Sequence, residues 1–181
     1  MDAQRTERNQ FTLKYGALLG IIQVAWLLIL YATDNFVGSP LLSIKWVIFG
    51  VFLYLVLKFY RDHFLEGFIS YGRCLREGVR LSILAGFFMG AFYFLMLKVF
   101  DPSLEQALIA LMEEGYLAMG YSESAVEEYS KSLNSGYFHW IMFFSTILDG
   151  MLSGLIVSLV IAIFVKRKSD DPFHEVMKNV Q

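Results

Sequence analysis

Apolar residues fall along the chain in four long runs separated by polar stretches. A bilayer core of about 30 Å needs about 20 apolar residues in a helix rising about 1.5 Å per residue. Residues 13–31 make the first such run, broken only by Lys14 and Gln23. Residues 41–57 make the second, with Lys45 one turn in, and 79–99 the third, bounded by Arg80 and Lys98. Residues 141–165 make the fourth, which contains one acid, Asp149. The pattern predicts an all-α membrane four-helix bundle forming a single domain over 1–181. A basic loop (58–78), an acidic loop (101–136) and a tail (166–181) complete it.

Local chemistry sharpens the boundaries. Ser39-Pro40 reads as an N-cap followed by proline at the first helical position. Asp101-Pro102 closes the third span, because the residue before a proline is pushed out of the helical region. The third span is expected to begin early, near Tyr71 or Gly72. The acidic loop reads as a short amphipathic helical hairpin. Ser103 and Gln106 have capping-box spacing, and Leu104, Ala107, Leu108, Leu111 and Met112 follow at helical intervals. Gly115 or Gly120 is placed to end that helix, and Ser122 or Ser124 to cap the next, whose Val126, Tyr129 and Leu133 share a face.

Basic residues set the orientation. Arg5, Arg8, Lys14, Lys58, Arg61, Arg73, Arg76, Arg80, Lys166, Arg167, Lys168 and Lys178, twelve of fifteen, fall in segments on one side; Lys45, Lys98 and Lys131 fall on the other. The positive-inside rule then predicts both termini in the cytoplasm of a multi-pass inner-membrane protein. The first run is too long for a signal peptide and lacks a cleavage pattern after Tyr31, so it is expected to be retained. Trp26, Trp46, Tyr60 and Trp140 stand where aromatic belts form.

Composition narrows the chemistry. The chain is 56% apolar, with one cysteine, Cys74, which excludes an internal disulfide and a cysteine zinc cluster. His63, His139 and His174 are not spaced as metal ligands, and no phosphate loop, zinc-protease or nucleophile-elbow motif occurs. No enzymatic activity, cofactor or nucleic-acid partner is therefore expected.

Three groups of residues stand out. Asp149 lies about 12 Å into the last span, where an ionisable group is costly unless paired or hydrated. Lys45 and Lys98, at the outer ends of their spans, are its expected partners, with Ser145 or Tyr31 as hydroxyl alternatives. An interhelical clasp is the plainer role for Asp149, and proton or cation handling the sharper one. Arg73, Arg76 and Arg80 recur at helical spacing, and Glu77 can pair with Arg73 or Arg80. Anchoring on lipid headgroups is their simplest use; binding an anionic ligand or partner is the alternative. Gly16/Gly20, Gly86/Gly90 and Gly150/Gly154 are small-xxx-small pairs, suited to a tight bundle or a homo-oligomer interface, while Gly50 stands alone.

Motif order carries a resemblance. Gly67-Phe68-Ile69-Ser70-Tyr71-Gly72 precedes the third span, and Phe100-Asp101-Pro102 ends it. Met119-Gly120-Tyr121-Ser122-Glu123 lies in the acidic loop, and Gly154-Leu155-Ile156-Val157-Ser158-Leu159 runs through Ile163 into Lys166-Arg167-Lys168. In these segments the chain resembles, from Gly16 to Lys168, the bacterial four-helix membrane family called domain of unknown function 4199 (DUF4199), found mostly in the Bacteroidetes. The resemblance implies four spans in the inner membrane and supplies no activity or site residue. The sequence thus favours a non-catalytic scaffold or accessory subunit with a membrane-protein partner. A small oligomeric transporter or channel using Asp149 is the alternative.

Overall fold

The structure, a computed structural model, describes the main chain of residues 2–133 and 136–166, with side chains from Thr6 onward. The side chain of Arg5, and Arg167, Lys168, His174 and Lys178, lie outside the described residues. Four helical segments are long and apolar enough to cross a membrane: Thr6–Ala32, Pro40–Phe64, Tyr71–Phe100 and Phe138–Val165. They define a multi-pass membrane protein. Two further helices lie between the third and fourth segments, and no strand occurs among the described residues.

The first helix, α1, is Asp2–Ala32. Ser39 Oγ then accepts a hydrogen bond from the Leu41 amide (3.3 Å), and Pro40 opens a 3₁₀ turn that leads into α2, Ile44–Phe64. Glu66 and Gly67 both take positive φ (51° and 86°), reversing the chain into α3, Tyr71–Leu95. Its last turn, Met96–Phe100, widens to a π-helix closed by the Asp101 amide on the Met96 carbonyl (2.8 Å).

α4 covers Ser103–Ala118. The expected capping box of Ser103 with Gln106 does not form. Asp101 takes the role instead: its Oδ1 accepts from the Ser103 amide (3.2 Å) and hydroxyl (2.5 Å), as aspartate does two residues before a helix start. α4 runs through Gly115 and stops ahead of Gly120, whose φ of 90° carries the chain out of the helix. Ser122 Oγ then accepts from the Ala125 amide (3.4 Å) and caps α5, Glu123–Leu133. α4 and α5 meet where the Tyr116 ring stands edge-on to Tyr129 at 5.2 Å. The last helix, α6, is Phe138–Val165.

α3 is the middle of the bundle, with α1 on one side and α6 on another. The glycine pairs explain how it fits. A Cβ on Gly20 of α1 would lie 2.7 Å from the Phe88 Cβ of α3, and one on Gly90 would lie 2.7 Å from the Phe143 carbonyl of α6. One on Gly150 would lie 2.8 Å from the Ser82 carbonyl. Helices in lipid gain little from apolar side chains alone, so close backbone contact supplies the packing. All three small-residue pairs are thus used inside the chain, whereas Gly50 meets nothing within 4 Å.

α2 joins the core through the half nearest the chain termini. There Leu53, Leu57 and Tyr60 pack with Phe11, Cys74, Ala162 and Val165. Buried Arg61 donates from Nη1 to the Val165 carbonyl (3.1 Å), tying the end of α2 to the end of α6. This end of the bundle, which also carries Arg8, Arg73, Arg76 and Arg80, is termed the basic end; α4 and α5 mark the acidic end.

Candidate functional site

Asp149 lines a cavity of about 280 Å³ between the spans. Every span contributes a polar side chain: Gln23 from α1, Lys45 from α2, Ser82 and Tyr93 from α3, and Ser145, Thr146 and Ser153 beside Asp149 on α6. Helical periodicity makes the α6 set, since 145, 146 and 153 lie three or four residues from 149 and share its face. Ser82 and Tyr93 are separated by about 16 Å along α3, so the cavity is long rather than round.

The serine and threonine hydroxyls are oriented in one sense. Ser145 and Thr146 both donate to the Met142 carbonyl, at 3.2 and 2.6 Å. Ser82 donates to the Gly78 carbonyl (2.8 Å), and Ser153 to the Asp149 carbonyl (2.5 Å) while lying 3.2 Å from Asp149 Oδ1. Each proton is spent on its own helix; Ser82 is fully buried against Gly154, and the other three leave oxygen lone pairs for the cavity. With the Asp149 carboxylate they form an acceptor-rich lining. Lys45 is the one basic side chain on the wall, and its ammonium stands 5.1 Å from the Trp46 ring centroid. No ion pair joins it to Asp149.

The expected partners of Asp149 therefore separate. Lys45 shares its cavity; Lys98 does not, because it sits on the exposed side of the π turn with its ammonium 5.9 Å from the Phe94 ring centroid. Tyr31 is also engaged elsewhere, donating to Asp101 Oδ2 (2.9 Å). Ser145 lines the cavity, and the Ser153 hydroxyl lies 3.2 Å from the Asp149 carboxylate. Gln23, Tyr93, Thr146 and Ser153 were not singled out by sequence, although Gln23 was visible as a polar break in an apolar run.

A second cavity, of about 550 Å³, opens at the basic end. Arg73, Arg76 and Arg80 all line it, as their helical spacing requires, and Arg8 of α1 reaches it from the facing helix. Tyr60 of α2 contributes a further wall. Glu77, 7% exposed, accepts from Arg80 Nη1 (3.3 Å) and from Thr12 Oγ1 (3.3 Å). Among the described residues no group of three or more histidine, cysteine or acidic side chains could hold a metal ion.

Helices of spanning length around a polar intramembrane cavity make this a four-span helical membrane protein. Residues 14–167 match the family described as protein of unknown function (DUF4199), and the chain belongs to that family. No curated protein and no solved structure matches it.

Proposed function

We propose that the protein binds and passes a small cation or protons at the Asp149 cavity, acting as a compact transporter or channel. The acceptor-rich lining carries this reading: one carboxylate and three hydroxyls, those of Ser145, Thr146 and Ser153, present oxygen lone pairs at bilayer depth. Charge and hydroxyl oxygens at that depth are costly unless they meet water or a bound ion. Lys45 is the natural counter-charge when the site is empty. Four spans leave little room for a continuous path, which favours a homo-oligomer. The same reading puts both termini in the cytoplasm of the inner membrane, and α4 with α5 outside as an amphipathic hairpin.

Proteoliposome flux tests it directly. Wild type, Asp149→Asn and Lys45→Met are compared for Na⁺, K⁺ and proton movement with ion-sensitive dyes. Wild-type flux above empty vesicles, abolished by Asp149→Asn, is the expected result; equal flux in wild type and Asp149→Asn would sink the role of this acid.

The sequence-based expectation of a non-catalytic accessory subunit is the second reading. It is favoured by Asp149 being exposed in the isolated chain, where a polar partner helix could cover it. Photocrosslinking from position 145 in native membranes would capture that partner, and a chain that crosslinks only to lipid would count against it.

A further inference from the structure

The basic-end cavity has a feature that headgroup anchoring by single arginines does not require: its charges converge from different helices onto one space. Four arginines line it, against one acidic residue, Glu77. That carboxylate is already committed. It is buried, held by Thr12 of α1, and paired with Arg80. Arg8, Arg73 and Arg76 have no ion pair among the described residues. Arg73 is only partly exposed and shares the cavity wall with buried Tyr60 of α2.

Uncompensated like charges repel, and a structure that holds them together is stable where an anion sits between them. Guanidinium presents a planar fork of N–H donors that matches the oxygens of a phosphoryl group, and two or three such forks around one volume can enclose it. The cavity is large enough for a phosphoryl group with its first substituent, within the size range of small-molecule sites. Ser70 and Asn9 on its wall add neutral polar groups suited to an ester or glycerol oxygen.

We propose that Arg8, Arg73 and Arg76 form a binding site for a phosphoryl anion at the basic end of the bundle. Arg80 and Glu77 form its fixed edge. The chemistry is shared by two sources, the headgroup of an anionic phospholipid and a soluble phosphate ester, and the test separates them.

Protein in phosphatidylcholine nanodiscs is titrated with inorganic phosphate, read by broadening of the phosphorus NMR line. In parallel, protein is taken from vesicles of equal phosphatidylglycerol and phosphatidylcholine, and its retained lipids are identified by native mass spectrometry. The variants are Arg73→Gln with Arg76→Gln, and Arg76→Lys as a charge-preserving companion; circular dichroism checks that each folds. Preferential retention of phosphatidylglycerol by wild type, reduced about tenfold in the double glutamine variant and partly kept by Arg76→Lys, assigns the site to lipid. Phosphate binding with the same dependence on arginine, and no lipid preference, assigns it to a soluble ester. Binding that the folded double variant retains unchanged, or absence of binding in both arms, overturns the proposal. None of these readouts depends on Asp149, so the site stands or falls apart from the transport reading.

Discussion

The packing of α3 on α6 makes a prediction whose sign depends on position alone. Gly90→Ala adds one methyl group whose carbon would lie 2.7 Å from the Phe143 carbonyl oxygen, short of ordinary contact at 3.4 Å by 0.7 Å. The obstacle is backbone, so no side-chain rotation relieves it. α3 and α6 must part, yet they also touch at Gly86, where a Cβ would lie 3.0 Å from the Thr146 carbonyl, and at Gly150. Displacement at one point loosens the others. Overpacking of this kind costs about 1–3 kcal/mol. At roughly 2–4 °C per kcal/mol for a chain of this size, the midpoint falls by roughly 2–12 °C.

Gly50→Ala is the control. It adds the same methyl group where nothing lies within 4 Å, and alanine is favoured over glycine in a helix by about 1 kcal/mol. The two variants should move in opposite directions when thermal unfolding is followed by circular dichroism in one detergent. A Gly90→Ala protein as stable as Gly50→Ala would refute the close backbone contact.

Three more substitutions probe other parts of the fold. Ser158 is fully buried with its hydroxyl unpaired, and Ser158→Ala should raise stability by about 1 kcal/mol, read from the same melting curves. Arg61→Met removes the donor to the Val165 carbonyl and should cost about 1.5–3 kcal/mol; stability equal to wild type would show that the α2–α6 tie is dispensable. The Asp101 carboxyl is held below the usual aspartate range, first by the Ser103 hydroxyl and then by Tyr31. A depressed folded-state pKa gives stability that is complete above the ordinary aspartate value and lost as pH falls through the lowered one. The advantage of wild type over Asp101→Ala should therefore vanish on acidification and persist at alkaline pH.

What the sequence revealed follows from what each feature depends on. The spans depend on hydropathy, and the Ser39-Pro40 start, the early start at Tyr71 and the glycine contacts depend on local pattern; all could be read in one dimension. The Arg73, Arg76 and Arg80 stripe also lies on one helix, so its common face was legible. Arg8 was not, because its approach depends on how α1 is rotated against α3. Depth along the bilayer suggested Lys45 and Lys98 equally as partners of Asp149. Only rotation about the helix separates them, and for Lys98 that rotation is altered by the π turn, where the register slips. Ser103 looked like a cap by spacing, yet Asp101 already held its amide and hydroxyl.

The two cavities share α3, and the segment between them constrains any mechanism. Ser82 lines the Asp149 cavity; Glu77 and Arg80 line the basic one. From Glu77 to Ser82 the rise along α3 is about 7.5 Å. That interval is the tightest part of the seam: the Ser158 side chain fills the place of a Cβ on Gly78, and Ser82 fills the place of one on Gly154. No water-filled route can run along the α3–α6 seam through contacts of that kind. A cation or proton entering at Asp149 would therefore follow this seam to the basic end only if α3 and α6 separate at Gly78 and Gly154; any other path runs beside α1 and α2, which line both cavities, or between neighbouring copies. Positive charge at Arg8, Arg73 and Arg76 would oppose its exit, and a bound phosphoryl anion would lower that opposition. On this reasoning the two proposed sites are coupled through electrostatics across a thin packed layer. Flux through wild type should rise when the basic cavity is filled, and the rise should be lost in the Arg73→Gln, Arg76→Gln protein.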